Sequence, residues 1–353
     1  GQDNGKHYLS KKKKRANLFF FCYNRFMNFT KDLLNWYKQN KRTLVFRDDH
    51  DPYKIWISEV MAQQTQIATM LPYYERWIER FPNAEDVANA SIDEILKMWE
   101  GLGYYRRARN LHKGAQYVVE HFNGELPKEK KDLMTIPGIG DYTASAIASI
   151  AFEKPEIPVD GNVKRVMARY MNYQENVNTR AAHKLFEDFL KNEMIQNKAM
   201  PSQFGQALME LGALVCTKHQ TKCEQCPLQK ACLAYQNGTV DQLPIKPKAK
   251  KVPSYKKSVL LYIKDKQILV SNDDRDGLMK GLLRLPQIDG HSRRKDVYRL
   301  KHQFSHLIWD IRVYPIDTIP DFDFDVFLIP IESLDDISMV TAHRKILKHL
   351  LKE

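Results

Sequence analysis

Four cysteines fall within one short stretch, CTKHQTKCEQCPLQKAC, as Cys216, Cys223, Cys226 and Cys232. Thiolates gathered in this way bind tetrahedral Zn²⁺ or an iron–sulfur cluster, and the Cys-x-x-Cys pair suits both. Disulfides explain them poorly in a basic chain with no secretion signal. Cys22 stands outside the pattern. A second constellation is IPGIGDYTA, residues 136–144, where Gly138 and Gly140 are expected to turn the backbone through positive φ ahead of a helix. Such a turn aims free N–H groups at an anion. It is not a nucleotide P-loop, because G-x-x-x-x-G-K-[ST] is absent. Two carboxylates complete the set. Asp160, in VDGNVKRVMARY, precedes a helix and is expected to cap it at the amide of Asn162 or Val163. Those donors favour its anion. Glu59, in ISEVMAQQTQ, has apolar neighbours Ile57, Val60 and Met61, and desolvation there favours its protonated form. Against an exposed helix position stand Gln63, Gln64 and Gln66, which interrupt an apolar helix with groups able to read bases.

The elements that must position these groups are helical from Phe29 to about Tyr235. YKIWISEVMAQQTQIATMLPYYERWIERF presents Trp56, Val60, Ile67 and Leu71 at the spacing of a buried face and is expected to break at Pro72. Ser91 is placed to cap the next helix, with Glu94 three residues on, and Gly101 and Gly103 stop it. Further helices are expected over 128–135, 141–152, 161–171, 180–196 and 202–215. LPIKPKAKKVPSYKK, residues 243–257, reads as a basic linker. Beyond it the apolar period changes to two, so SVLLYIKDKQILVS, HLIWDIRVYPI and FDVFLIPI read as strands and TAHRKILKHLLKE as a closing helix. An all-α domain over 27–242 thus joins an α+β domain over 258–353, and residues 1–26 read as a disordered extension.

Length and charge agree with this division. A chain of 353 residues suits two domains, and its net charge of +12 favours a polyanionic partner. No run approaches the ~20 apolar residues of a membrane span. ANLFFFCY follows Lys11–Lys14 but is too short and aromatic for a signal peptide, and KKKKR reads as a solvated tail.

The six–two–five cysteine spacing resembles the [4Fe–4S] loop of the endonuclease III superfamily of DNA glycosylases, in which the cluster is structural. IPGIGDYTA resembles the hairpin of a helix–hairpin–helix. That implies a DNA phosphate held by the backbone of Gly138 and Gly140, with a monovalent cation at the hairpin. ISEVMAQQTQ, GLGYYRRARNLHKGAQ, IPGIGDYTA, VDGNVKRV and ALMELGALVCT, in this order and ending in the cysteine loop, are similar to the adenine DNA glycosylases of the MutY family. The similarity is close over 28–235 and looser beyond.

What the resemblance implies is excision of adenine mispaired with 8-oxoguanine or guanine in double-stranded DNA, in base excision repair. It implies a monomer away from any membrane, cytoplasmic and nucleoid-associated in a bacterium or nuclear in a eukaryote. Glu59 would protonate adenine N7 and Asp160 would stabilise the sugar cation, with Tyr142 and Asn162 assisting. Arg47 and Glu210 would line the adenine pocket. Gln64, Leu102 and Tyr104 would lie against the 8-oxoguanine strand, and one of Tyr104 and Tyr105 would only pack. Bifunctional relatives carry a lysine at the position of Tyr142, so this chain would be monofunctional. The C-terminal domain resembles the Nudix fold without its G-x₅-E-x₇-R-E-x-x-E-E box, so no Mg²⁺ pyrophosphatase site can be built. Phe304, Ser305 and His306 match the loop that reads 8-oxoguanine, although alternation also allows Phe304 inward and Ser305 outward on a plain strand.

Three departures stand out: Val45-Phe46-Arg47 where the family reads Pro-Trp-Arg, Ala62 for a common leucine, and Gly205 for a frequent asparagine. Two rival readings remain, a bifunctional glycosylase/lyase on the same fold and a non-catalytic iron–sulfur DNA-binding protein.

Overall fold

The change of apolar period near residue 250 is realised as a change from helix to strand. The structure, a computed structural model, describes residues 29–46, 49–247, 251–277, 279–304 and 307–351. The expected extension over 1–26, Cys22, and the site residues Arg47, Ser305 and His306 lie outside the described residues. Helices run in the order α1 Phe29–Asn40, α2 Pro52–Ala62, α3 Ile67–Arg80, α4 Ala84–Asn89, α5 Ile92–Trp99 and α6 Arg106–Phe122. They continue as α7 Lys130–Leu133, α8 Asp141–Phe152, α9 Gly161–Tyr170, α10 Arg180–Gln196, α11 Pro201–Leu214 and α12 Leu233–Gln236, and α13 Thr341–Leu350 follows the strands.

One expected boundary moves. The long apolar helix breaks at 63–66, not at Pro72, which lies inside α3. The reason is burial. Gln63, Gln64, Thr65 and Gln66 offer nothing to a core, and Gln64 takes φ 56, whereas Met70, Tyr74 and Trp77 hold α3 in place on both sides of the proline. The glutamines therefore occupy a turn between two helices and do not interrupt one. Ser91 caps α5 as expected, its Oγ accepting from Glu94 N at 3.2 Å. Glu94 turns away to pair with Arg80.

The chain forms two compact units. One holds the described chain up to Glu59 and again from Leu126 to the linker; the other holds Val60–Glu125 and the chain beyond the linker. The first has a core of Phe29, Leu33, Tyr170, Phe186, Phe204 and Leu211 from α1, α9, α10 and α11, with the Phe29 and Tyr170 rings edge to face at 4.9 Å.

In the second unit Trp77 and Trp99 meet edge to face at 5.6 Å. Its strands are β1 Ser254–Leu261, β2 Ile263–Lys264, β3 Gln267–Ser271, β4 Gln287–Asp289, β5 Tyr298–Gln303, β6 Ile308–Pro315 and β7 Val326–Pro330. They form two sheets, β4-β1-β6-β5 with β1 and β6 parallel, and β2-β3-β7. Neither β4 nor β5 was legible as a strand: β4 has three residues, and YRLKHQ in β5 is a polar edge paired only with β6. Val259, Val270, Trp309, Ile311 and Ile346 are buried between these elements. The end of α5 is fastened to the C-terminal segment. Arg344 Nε donates to Glu100 Oε1 at 2.7 Å, Lys97 Nζ donates to Ile337 O at 3.1 Å, and the Tyr105 and Thr341 hydroxyls meet at 3.4 Å.

Candidate active site

The hairpin before α8 uses its two glycines differently from expectation. Gly138 has φ 88, which favours glycine, but Gly140 has φ −92 and is ordinary extended backbone at the N-cap of α8. A Cβ on Gly140 would meet nothing within 4 Å. Neither conformation nor internal packing requires glycine there.

One turn into α8, Tyr142 donates its hydroxyl to Glu59 Oε2 at 2.6 Å, with Met209 Sδ 3.4 Å away. Hydrogen bonds this short to a carboxylate are charge-assisted. The partner of this hydroxyl is thus Glu59. Burial, then the nearby carboxylates of Glu59 and Asp160, hold the phenol well above its usual range, so it stays a donor.

Asp160 caps α9 as its sequence position requires. Its Oδ1 accepts from Val163 N at 2.7 Å and its Oδ2 from Asn162 Nδ2 at 2.9 Å. These donors favour the anion, yet burial outweighs them and raises the carboxyl above the ordinary aspartate value. The caps favour the anion as expected, and burial sets the net direction against them. Glu59, Tyr142, Asp160 and Asn162 are each half-buried, so the cluster is partly desolvated and still reachable.

Sequence reasoning missed what braces this cluster. Arg165, one turn into α9, donates from Nη2 to Asn162 Oδ1 at 2.8 Å and to Gly212 O at 2.7 Å, and from Nε to Cys216 O at 2.7 Å. A Cβ on Gly212 would lie 2.7 Å from Asn162 Cβ, so glycine at this point of α11 lets α9 approach. The glycine of ELGAL, the twelfth residue of α11, was the available signal. Gly205 likewise has a packing cause, since its Cβ would press on Pro158 at 3.0 Å.

The four cysteines line one cavity, together with Arg169 and Tyr235. Arg169 Nη1 reaches Cys216 Sγ at 3.4 Å and Thr217 O at 2.6 Å. Burial pushes the Cys226 thiol up to about 12 and raises that of Cys232, so a strongly cationic occupant is needed to keep them as thiolates. Among the described residues, no three His, Cys, Asp or Glu side chains converge as they would on a single metal ion. Four soft sulfurs around a shared cavity suit a soft-metal centre, zinc or an iron–sulfur cluster.

Glu210 is fully buried and bound by Arg42: Oε1 accepts from Arg42 N at 2.9 Å and Nε at 2.8 Å, and Oε2 from Nη2 at 2.9 Å. It ties α11 to the segment that follows α1. In the second unit, Gln64 is exposed, Leu102 is buried, and Tyr104 is exposed with φ 50. Tyr105 is the tyrosine that packs. Phe304 follows the end of β5, with its ring 4.8 Å from Trp309 and its N–H bonded to Leu307 O at 2.8 Å.

Residues 57–192 match the model of the HhH-GPD superfamily of base excision DNA repair proteins. The adenine DNA glycosylase of Buchnera aphidicola subsp. Baizongia pistaciae is 39% identical over 295 residues, covering 79% of this chain and 83% of that protein. The adenine DNA glycosylase of Mus musculus is 43% identical over 232 residues, covering 62% of this chain but only 44% of its own length. Among solved structures, a thermostable thymine-DNA glycosylase aligns with a TM-score of 0.54 at 27% identity, over 61% of this chain and 98% of that one. A non-covalent endonuclease III–DNA complex aligns with a TM-score of 0.50 at 25% identity, over 58% and 94%. The helical part of the chain therefore has the base-excision glycosylase fold.

Proposed function

The chain belongs to the adenine DNA glycosylase family of helix–hairpin–helix repair proteins, and from that premise we propose that it excises adenine paired with 8-oxoguanine or guanine, without cutting the strand. The observation that carries the reading is the Tyr142 hydroxyl bonded to Glu59 Oε2 at 2.6 Å beside the capped Asp160. Extruding the adenine costs a few kcal/mol, least at a mispair. Glu59 then protonates N7, and the departing base leaves a cationic sugar that the Asp160 anion stabilises until a water molecule adds at C1′ and loses its proton to solvent, in the logic of paired carboxylates at a glycosidic bond. Once Glu59 has given up its proton, the bond from Tyr142 favours the carboxylate it has become. Asn162 and Arg165 keep the Asp160 carboxylate oriented.

Backbone N–H groups at Gly138 and Gly140 take a DNA phosphate, and a bare Gly140 allows the close approach. Lysines and arginines supply most of the non-specific affinity, which falls with salt. Cys216, Cys223, Cys226 and Cys232 would hold a [4Fe–4S] cluster whose contribution is structural, shaping the loop that Arg165 and Arg169 tie to α9. Gln64, Leu102 and Tyr104 address the strand opposite the adenine. The Nudix-like C-terminal region, through Phe304 and its neighbours, reads 8-oxoguanine.

Release of free adenine from a duplex containing A·8-oxoguanine tests the proposal. The expected product is an abasic strand that breaks only in hot alkali. Absence of adenine release by protein that binds the duplex would favour the non-catalytic reading, and alkali-independent nicking at the rate of base release would favour the lyase.

A further inference from the structure

The turns that carry Gln64 and Tyr104 share one tie, a side chain that no sequence pattern singles out. Arg107 lies in the first turns of α6 and sends its guanidinium back toward both. Nη1 is 2.9 Å from Val60 O, 2.9 Å from Met61 O and 2.6 Å from Gln63 O. Nη2 is 3.2 Å from Thr65 Oγ1, 3.4 Å from Leu102 O and 3.2 Å from Gly103 O. The guanidinium carbon is 5.2 Å from the Trp99 ring and 5.3 Å from the Tyr104 ring. Trp99 Nε1 closes the arrangement by donating to Gly103 O at 2.9 Å.

These acceptors are backbone carbonyls and one hydroxyl, with no carboxylate among them. A guanidinium half-buried on such terms is an expensive way to join two turns, since well-packed apolar side chains often serve stability as well or better. What it uniquely supplies is a flat fork that fixes several carbonyls at once. Both turns need holding: Gln64 has φ 56 and Tyr104 has φ 50, left-handed conformations that a side chain resists and that persist only where the surroundings over-determine them.

We infer that Arg107 is a positioning residue that holds Gln64 and Tyr104 in one fixed geometry toward the strand opposite the excised base. This rests on the proposed role of those two side chains. A narrower role competes with this, because Val60, Met61 and Gln63 offer the carbonyls left over at the end of α2, and any arginine there would cap the helix. The contacts to Leu102 O, Gly103 O and the Tyr104 ring exceed what a cap requires.

The test compares Arg107→Lys and Arg107→Met in the full chain with Gln64→Ala/Tyr104→Ala, and with each arginine variant added to that pair. Single-turnover adenine release from A·8-oxoguanine and thermal unfolding are both read. Lysine keeps the charge but not the fork, so Arg107→Lys is expected to fold and to slow release on the order of tenfold or more, as misplaced groups do. In the Gln64→Ala/Tyr104→Ala background it should cost less than about twofold further, because the groups it positions are gone. A full, independent loss in that background would overturn the inference and leave a helix cap, as would an unchanged rate for Arg107→Lys. If Gln64→Ala/Tyr104→Ala itself releases adenine normally, the assignment of those two residues fails instead. Should Arg107→Met not fold, Arg107→Lys alone decides.

Discussion

Replacing Asp160 by asparagine separates the chemistry from the fold. Asparagine caps a helix about as well as aspartate, so the bond from Val163 N, 2.7 Å in the native chain, is retained. The new amide faces Asn162 Nδ2, which now donates at 2.9 Å, and that mismatch costs about 1 kcal/mol. Set against it, burial raises the native carboxyl above its ordinary value, so ionised Asp160 is a burden on the folded state. The sign follows from linkage: a raised folded-state pKa gives a contribution complete at low pH and lost as pH rises through that pKa. Asparagine abolishes that loss near neutrality, and net stability should stay within about 1 kcal/mol of the parent. The effect on rate is far larger. A carboxylate about 4 Å from a unit positive charge, at an effective dielectric near 20, contributes about 4 kcal/mol, or roughly a thousandfold in rate. Single-turnover adenine release with excess enzyme at pH 7.5 measures this, with duplex affinity and urea unfolding run on the same samples. The native enzyme should also lose rate on the acid side, at a pH above the ordinary aspartate range, as Asp160 takes up its proton. Release within tenfold of the parent, or a loss of rate matched by a loss of folding, would refute the electrostatic role.

Protein purified without oxygen should be yellow-brown with about four irons per chain; stoichiometric zinc in place of iron would reject the cluster. Tyr142→Lys should create some borohydride-trappable complex, but weakly, because an amine replacing the donor to Glu59 is held as ammonium by that carboxylate. Trapping as strong in the unmodified chain would contradict the monofunctional reading. His343 is buried, accepts from Leu285 N at 2.9 Å through Nδ1, and is pushed down to about 3 by burial. Its contribution is therefore present above the unfolded value of 6.5 and is lost as pH falls toward 3, at up to about 1.4 kcal/mol per pH unit. Urea unfolding of the parent and His343→Gln at pH 7.5 and 5 should show the parent losing more; equal slopes would place the acid sensitivity elsewhere.

Much of this protein is legible without coordinates because its signals are local. Helical period, the Ser91 cap, the Asp160 cap and the Pro-Gly-Ile-Gly turn each depend on residues within one or two turns, and α5, α8, α9 and α10 lie where the pattern puts them. The cysteine spacing is local in the same sense. Local reading failed where two signals competed. Pro72 looked like the stronger breaker, yet burial of Met70, Tyr74 and Trp77 carries α3 through it, while four polar residues with nothing to bury end α2. The short β4 and polar β5 are strands only because β1 and β6 offer them edges.

The sequence by itself determined which groups are available: two carboxylates, a phenol, four thiols and a bare glycine turn. It also determined that Asp160, Tyr142 and the glycine turn sit at helix N-termini, where backbone donors are exposed. Tertiary structure decided the pairings. That Tyr142 serves Glu59, 83 positions away, that Arg42 consumes Glu210, 168 positions away, and that Arg107 joins two turns are facts of packing between distant segments. It also decided which way the proton affinity of Asp160 moves, where capping and burial act in opposite directions and burial wins. Hydrogen bonds to neighbours can be read from spacing, but desolvation depends on everything the fold places around a group, and no stretch of sequence contains that.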